Sequence, residues 1–347
     1  MSGHPIEFGV RLPVSGPLAS PSAIAQVATR AEELSYEALW LHDYIVWTKE
    51  LDRTHVSCGM IELVRDEDDP VFFESLTTLA FVAGLTRRIR LGTAVLCLPY
   101  RQPVVAAKQI ANLDVLSGGR LILGVGVGAN RSTHNQDFEV LGIPRTEKYD
   151  RTRDYLRAME AIWTEALPSY SGTYVSFPET EIYPKPIQQP HPPIWFGGRG
   201  PRAVELVADL GDGWLPTWLT PDGYREGIAR LRDALEAAGR GNTVPAIGDE
   251  IVACVADTHE EAVRISQATV ETLTSGFTVT STGEAIASGL IGTADEVAEK
   301  AIALADAGVW HFELKFIYRS ISHLAEQLEL FASGVADPVR RHAAAAA

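Results

Sequence analysis

At 347 residues and 46% hydrophobic composition, the chain can build one large core or two modest domains, and a formal charge of −15 with a pI near 5.1 argues against a nucleic-acid partner, whose phosphates need an excess of Lys and Arg. Cys58, Cys97 and Cys254 are few, odd in number and far apart, which excludes a disulfide framework or a cysteine metal cluster and points to a reducing cytoplasm, with no metal site expected. A basic start leading into an apolar h-region is absent, as is an apolar run of membrane-spanning length, so the expectation is a protein neither secreted nor membrane-embedded.

In chain order, a strand is predicted over 6–12, a helix over 21–34 with Ile24, Val27, Ala31 and Leu34 on one face, and a second strand over 38–42. A long connection over 43–70 follows, carrying Tyr44, Trp47 and Met60 and the acidic run 66–69; its aromatic part could cover a substrate or simply pack. The third strand, 89–97, is apolar nearly throughout, as expected of a parallel strand buried on both faces. Pro99 and Pro103 break it. Pro103 suits the first turn of a helix, because its missing N–H would have no partner there, and Ile110, Leu113 and Leu116 follow until Gly118-Gly119 stops the helix.

The fourth strand, 121–127, leads into alternate glycines, with Gly124, Gly126 and Gly128 on one face and Leu123, Val125 and Val127 on the other. A face without side chains leaves room for something flat; the structural alternative is relief of crowding against a neighbouring strand. The spacing does not match a G-x-G-x-x-G dinucleotide fingerprint. A helix over 149–163 bears Tyr155, Met159, Ile162 and Trp163, and a proline-rich excursion over 167–192 leads to strands over 193–196, 213–217, 247–256 and 311–316. Helices over 202–210, 223–238, 260–273 and 294–307 alternate with them, and the Ser/Thr/Gly-rich stretch 275–292 reads as a lid or a tolerated insertion. Eight strand and helix alternations predict an α/β fold, a closed (β/α)8 TIM barrel with long loop insertions at its catalytic mouth, forming a single domain over 1–335 followed by a tail over 336–347, whose alanine run over 343–347 is expected to fray, extension of a helix being the alternative.

Several motifs now combine: Trp40-Leu-His-Asp43, Leu91-Gly-Thr-Ala-Val95, Arg101-Gln-Pro103, Lys108-Gln109, the run over 113–121, the glycines over 124–128, the run over 192–198, Gly211-Asp-Gly-Trp214 and the run over 291–297. Over nearly the whole chain they resemble the bacterial luciferase-like flavin and deazaflavin oxidoreductases. The resemblance implies a TIM barrel that binds coenzyme F420 or FMN at the strand C-termini, and the 101–128 block and Gly211-Asp-Gly-Trp214 look more like the F420-dependent branch. Implied with it is hydride transfer between reduced or oxidised F420 and a small organic substrate. The alternatives are an FMNH2-dependent monooxygenase using O2, with a separate reductase supplying the reduced cofactor, and a non-catalytic flavin-binding relative. A homo-oligomer is left open. The family also implies a non-proline cis peptide behind the cofactor ring, expected here among Val95, Leu96 and Cys97.

His42, Asp43 and Tyr44 end the second strand, where a barrel delivers side chains into its active site, and are the expected catalytic cluster. Relatives commonly place an acid before a histidine, whereas here the histidine comes first, so which of the three faces the cofactor is open. Gly197 and Gly198, with Arg199 and Arg202 around Pro201, read as an ordinary loop opening a helix; the resemblance turns them into a cradle for the cofactor phosphate. Gly126 and Gly128, followed by Asn130, Arg131 and His134, and Tyr149 with Arg151 at the next helix, complete the expected cofactor contacts, surface ion pairing being the alternative for the last two.

Overall fold

The computed structural model describes residues 4–49, 51, 63–64, 69–128, 135–274 and 281–346. Strands β1 (Glu7–Arg11), β2 (Ala38–Leu41), β3 (Arg90–Thr93) with its continuation β4 (Leu96–Cys97), β5 (Leu121–Gly126), β8 (Ile194–Gly197), β9 (Gly213–Leu215), β10 (Ala246–Val255) and β12 (His311–Phe316) are all parallel. They pair in that order, and β12 returns to β1, which closes an eight-stave barrel. The short β6 (Tyr170–Ser171) and β7 (Ser176–Phe177) form a separate antiparallel pair inside the proline-rich excursion, where Tyr183-Pro184 and Gln189-Pro190 are cis. β11 (Leu290–Gly292) adds to the C-terminal end of β10.

Helices sit outside the staves and are held by local chemistry as well as by their apolar faces. Helix α1 (Pro21–Glu33) starts where the Ser20 hydroxyl accepts from the Ala23 amide, and it buries Ile24, Val27 and Ala31. In α3 (Pro103–Ser117), Pro103 occupies the first turn, Gln102 caps the Val105 amide, and Gly118 ends the helix at φ +72° in the left-handed conformation. Also present are α2 (Ser75–Leu85), α4 (Asn135–Val140), α5 (Lys148–Thr164), α6 (Pro201–Leu210), α7 (Pro221–Ala237), α8 (His259–Thr274), α9 (Thr282–Ser288), α10 (Ala294–Asp306), α11 (Ile321–Phe331) and α12 (Asp337–Ala346).

Two tryptophans plug the lower barrel. A Cβ on Gly9 or Gly92 would lie 2.3 Å from Trp40, and one on Gly213 would lie 2.6 Å from Trp195, so these glycines create the volume the indoles fill. Trp40 Nε1 donates to His311 Nε2 at 3.0 Å, which leaves His311 Nδ1 as the donor to Glu7 Oε2 at 2.9 Å. Above this plug the barrel opens toward the C-terminal ends of its staves.

Three expectations need correction. The third strand is not continuous over 89–97: it breaks between Thr93 and Leu96, where the Ala94–Val95 peptide is cis, one bond ahead of the expected Val95–Cys97 stretch. The stretch 275–292, in which no regular element was predicted, carries α9 over Thr282–Ser288 and β11 over Leu290–Gly292, while 275–280 lie outside the described residues. The segment read as a tail is helical over Asp337–Ala346, with Val339 fully buried.

Candidate active site

A cleft of about 280 Å³ opens at the C-terminal mouth. Its first wall comes from the end of β2. Because the strand stops at Leu41, the two-residue alternation stops with it, and His42, Asp43 and Tyr44 all line the cleft. The His42 ring is buried, edge-on to Phe72 at 4.9 Å and to Tyr44 at 5.9 Å, and Tyr44 in turn meets Trp47 at 5.0 Å. Asp43 is engaged differently. Its carboxylate accepts from Ser75 Oγ at 2.9 Å, from the Cys97 amide at 3.0 Å, and from Arg101 Nη1 and Nη2 at 2.6 and 2.7 Å. Arg101 also donates to Glu74 at 3.0 Å. This is a buried, bidentate ion pair that ties β2, β4 and α2 together.

The second wall is built around Val95. A Cβ on Gly126 would sit 2.3 Å from the Val95 side chain, and one on Gly197 would sit 3.0 Å from it. The space beside these two glycines is therefore taken by Val95, and the flat face of the wall is Val95 itself. Gly124 is tighter still, since its Cβ would fall 1.7 Å from the Thr93 carbonyl oxygen, so crowding against the neighbouring stave explains that position. Gly128 lies beyond the strand at φ +80°, facing Phe138 and Tyr100. Leu96 corrects another expectation: it is fully buried in the main apolar core and does not line the cleft, because β4 turns it outward while Val95 and Cys97 face in. Burial, reinforced by Asp43, pushes the Cys97 thiol far above its usual range, so it stays protonated.

The third wall is the loop Gly197 to Gly200 and the start of α6. Gly198 takes φ +100° and its carbonyl accepts from Trp214 Nε1 at 2.7 Å, while Gly200 supplies no side-chain cap to the helix. The positive end of α6 therefore opens onto the cleft beside Arg199, whose Nη1 donates to the Trp218 carbonyl at 3.2 Å. Arg202 is exposed and sits over the Tyr149 ring at 4.6 Å; Tyr149 lines the cleft and Arg202 does not. Arg151, the other residue read at this helix, pairs with Glu147 and lies over Tyr174. Asn130, Arg131 and His134 fall outside the described residues.

Four charged lining residues were not singled out in the sequence. Lys148 Nζ donates to the Gly128 carbonyl at 2.7 Å, and burial lowers its pKa to about 8. Arg11, Glu250 and Lys315 form the floor, one layer above the tryptophan plug. Arg11 grips Glu313 through Nε and Nη2 at 2.7 and 2.8 Å and reaches Glu250 at 3.0 Å, and Lys315 lies 3.4 Å from Glu250. The available signal was the presence of charged residues, Arg11, Asp249, Glu250, Glu313 and Lys315, inside segments read as strands of a buried barrel.

An open cleft with a flat apolar wall, a helix N-terminus flanked by Arg199, and Lys148 beside Tyr149 suits a flat ring carrying a phosphorylated side chain. The described residues contain no group of three or more His, Cys, Asp or Glu placed to hold a metal ion, and no helix among them is long and apolar enough to cross a membrane.

Comparison with known proteins finds relatives named for FMNH2 and relatives named for F420. The chain is 28% identical over 298 residues to an FMNH2-dependent dimethylsulfone monooxygenase of Pseudomonas putida, covering 77% of this chain and 78% of that protein. It is 30% identical over 242 residues to an F420-dependent glucose-6-phosphate dehydrogenase of Kineococcus radiotolerans, covering 69% and 65%. The solved structure of an F420-dependent secondary alcohol dehydrogenase, in complex with an F420-acetone adduct, superposes with a TM-score of 0.77 at 18% identity, over 97% of this chain and 99% of that one. The luciferase-like monooxygenase family model matches residues 4–285, and the chain belongs to that family.

Proposed function

We propose that this protein is an oxidoreductase that uses coenzyme F420 to transfer a hydride to or from a small organic substrate, and that it works in the cytoplasm. The observation that carries the choice is the charged floor of Arg11, Glu250 and Lys315. Oxygen chemistry on reduced FMN calls for a dry, apolar pocket, whereas hydride exchange with a polar carbon centre is served by fixed charges that orient the substrate.

In this reading the α6 N-terminus, Gly197, Gly198 and Arg199 bind the cofactor phosphate, with Lys148 and Tyr149 along its side chain and Val95, Cys97, Gly126 and Gly128 forming the wall behind the ring. The bound deazaflavin supplies the hydride donor or acceptor. His42 supplies or takes the substrate proton through an imidazole nitrogen, Tyr44 shields that ring from solvent, and Asp43 is a positioning residue that holds the end of β2 against β4.

The test is a parallel titration of purified protein with F420 and FMN, repeated with Arg199→Ala. Tighter binding of F420, with a loss of roughly tenfold in the variant that spares an analogue lacking the phosphate, is the expected result. Saturable binding of FMN alone would favour the monooxygenase reading, with a separate reductase as partner, and binding of either cofactor without turnover would favour a non-catalytic flavin-binding protein.

A further inference from the structure

Below the wall that faces the expected ring, four ionisable side chains from three adjacent staves meet in the barrel interior: Arg11 on β1, Glu250 on β10, and Glu313 and Lys315 on β12. Their charges cancel in number, yet they are not equivalent. Glu313 is fully enclosed and taken by both arms of the Arg11 guanidinium. Glu250 is the most open of the four, with 18% of its side chain accessible against 3% for Arg11 and 9% for Lys315, and it lines the cleft. Its Oε1 meets Arg11 and Lys315, and its Oε2 is turned toward the Thr217 hydroxyl 3.4 Å away.

We propose that the Glu250–Lys315 couple is a substrate-docking site that takes a hydroxyl group other than the oxygen on the reacting carbon, whose proton is left to His42, so that the substrate is a polyol or hydroxyketone rather than an apolar molecule. The proposal rests on the hydride-transfer reading above and adds the substrate class to it. A hydroxyl both donates and accepts, and so can bridge a carboxylate and an ammonium held 3.4 Å apart. A ketone only accepts; it would meet Lys315 well but turn its lone pairs toward Glu250. Burial alone would raise the pKa of Glu250, but Arg11 and Lys315 outweigh it and hold the group below the usual carboxylate range, so it remains an ionised acceptor at neutral pH. A floor of paired charges also disfavours an apolar ligand, since covering it removes its hydration and returns no hydrogen bond.

The experiment compares cyclohexanol with cyclohexanone by ligand-observed NMR, on the protein alone and on the protein loaded with oxidised F420. It is run on the wild type, Glu250→Gln and Lys315→Met, with F420 affinity followed separately by fluorescence. Expected in the wild type is binding of cyclohexanol about tenfold tighter than cyclohexanone, a preference that Glu250→Gln abolishes while F420 affinity stays within about twofold. Equal affinity for the two probes in the wild type would overturn the proposal without any variant having to fold. A loss of F420 affinity in Glu250→Gln and Lys315→Met as large as the loss of cyclohexanol affinity would also overturn it, because the floor would then grip the cofactor. Failure of F420 to bind, with the alcohol preference intact on the protein alone, would instead remove the hydride-transfer reading and leave the docking site standing.

Discussion

Asp43→Asn replaces one acceptor oxygen by a donor in a carboxylate on which two Arg101 nitrogens, the Cys97 amide and the Ser75 hydroxyl converge. The buried Arg101 charge is left half-paired, which costs about 3–5 kcal/mol when a buried pair is broken. Urea unfolding should therefore show a stability loss of that order; unchanged stability with lost turnover would instead move Asp43 into the chemistry. For Lys148 the prediction concerns pH. With its pKa lowered to about 8 by burial, it carries its charge below that value and loses it above, so affinity for an anionic cofactor should fall between pH 7 and pH 9. A flat pH profile in the wild type, matching that of Lys148→Met, would take Lys148 out of the cofactor site. Neither residue's partner was legible in the sequence: Asp43 and Arg101 are far apart in the chain, and the approach of Lys148 to Gly128 depends on how α5 packs.

At the scale of elements, the staves were legible because each is a short apolar run bounded by turn residues, and the start and stop of α3 followed from Pro103 and Gly118. Helix α2 was missed for a physical reason. Its sequence is apolar on every side, burying Leu76, Leu79 and Val82 while leaving Phe81 and Leu85 exposed, so no helical period stands out. The alternate glycines were legible as a feature but not as a cause, since the Thr93 carbonyl and the Val95 side chain that crowd them come from another stave. Gly124 and Gly126 should therefore respond differently to substitution. Gly124→Ala should cost about 1–3 kcal/mol of stability, because backbone stands where its Cβ would go, and thermal unfolding measures this. Gly126→Ala meets only the Val95 side chain, so it should stay folded and weaken cofactor binding by shifting the wall. Equal destabilisation by both would show that Val95 is as unyielding as the backbone.

Across the whole molecule, charge is buried along one side of the barrel, from Glu7 and His311 in the plug to Arg11, Glu250 and Glu313 on the floor. Asp249, next to Glu250 on β10 and fully enclosed, points away from the cleft toward Tyr224 of α7: burial pushes its pKa up to about 8, with Glu250 and Glu313 adding to the effect. Above its ordinary value of 3.8 the native state binds more protons here than the unfolded chain does. The stabilisation from this group is complete below that value and is lost as pH rises through about 8. Asp249→Asn cannot ionise, so melting temperatures of wild type and variant should separate in the variant's favour between pH 5 and pH 9; parallel curves would show that Asp249 is ionised in the native state throughout. This charged interior was the least legible part of the site, because the charges are scattered over β1, β10 and β12, far apart in the chain, and only barrel closure brings them together.

Anaerobic turnover tests the central claim most directly. Reduced F420 is mixed with the protein and a panel of small hydroxyketones in the strict absence of oxygen, and the return of the oxidised cofactor's absorbance is followed. The account predicts enzyme-dependent oxidation of the cofactor with stoichiometric alcohol formation, at a rate that admitting oxygen does not raise. Turnover only with reduced FMN, and only once oxygen is admitted, would contradict it.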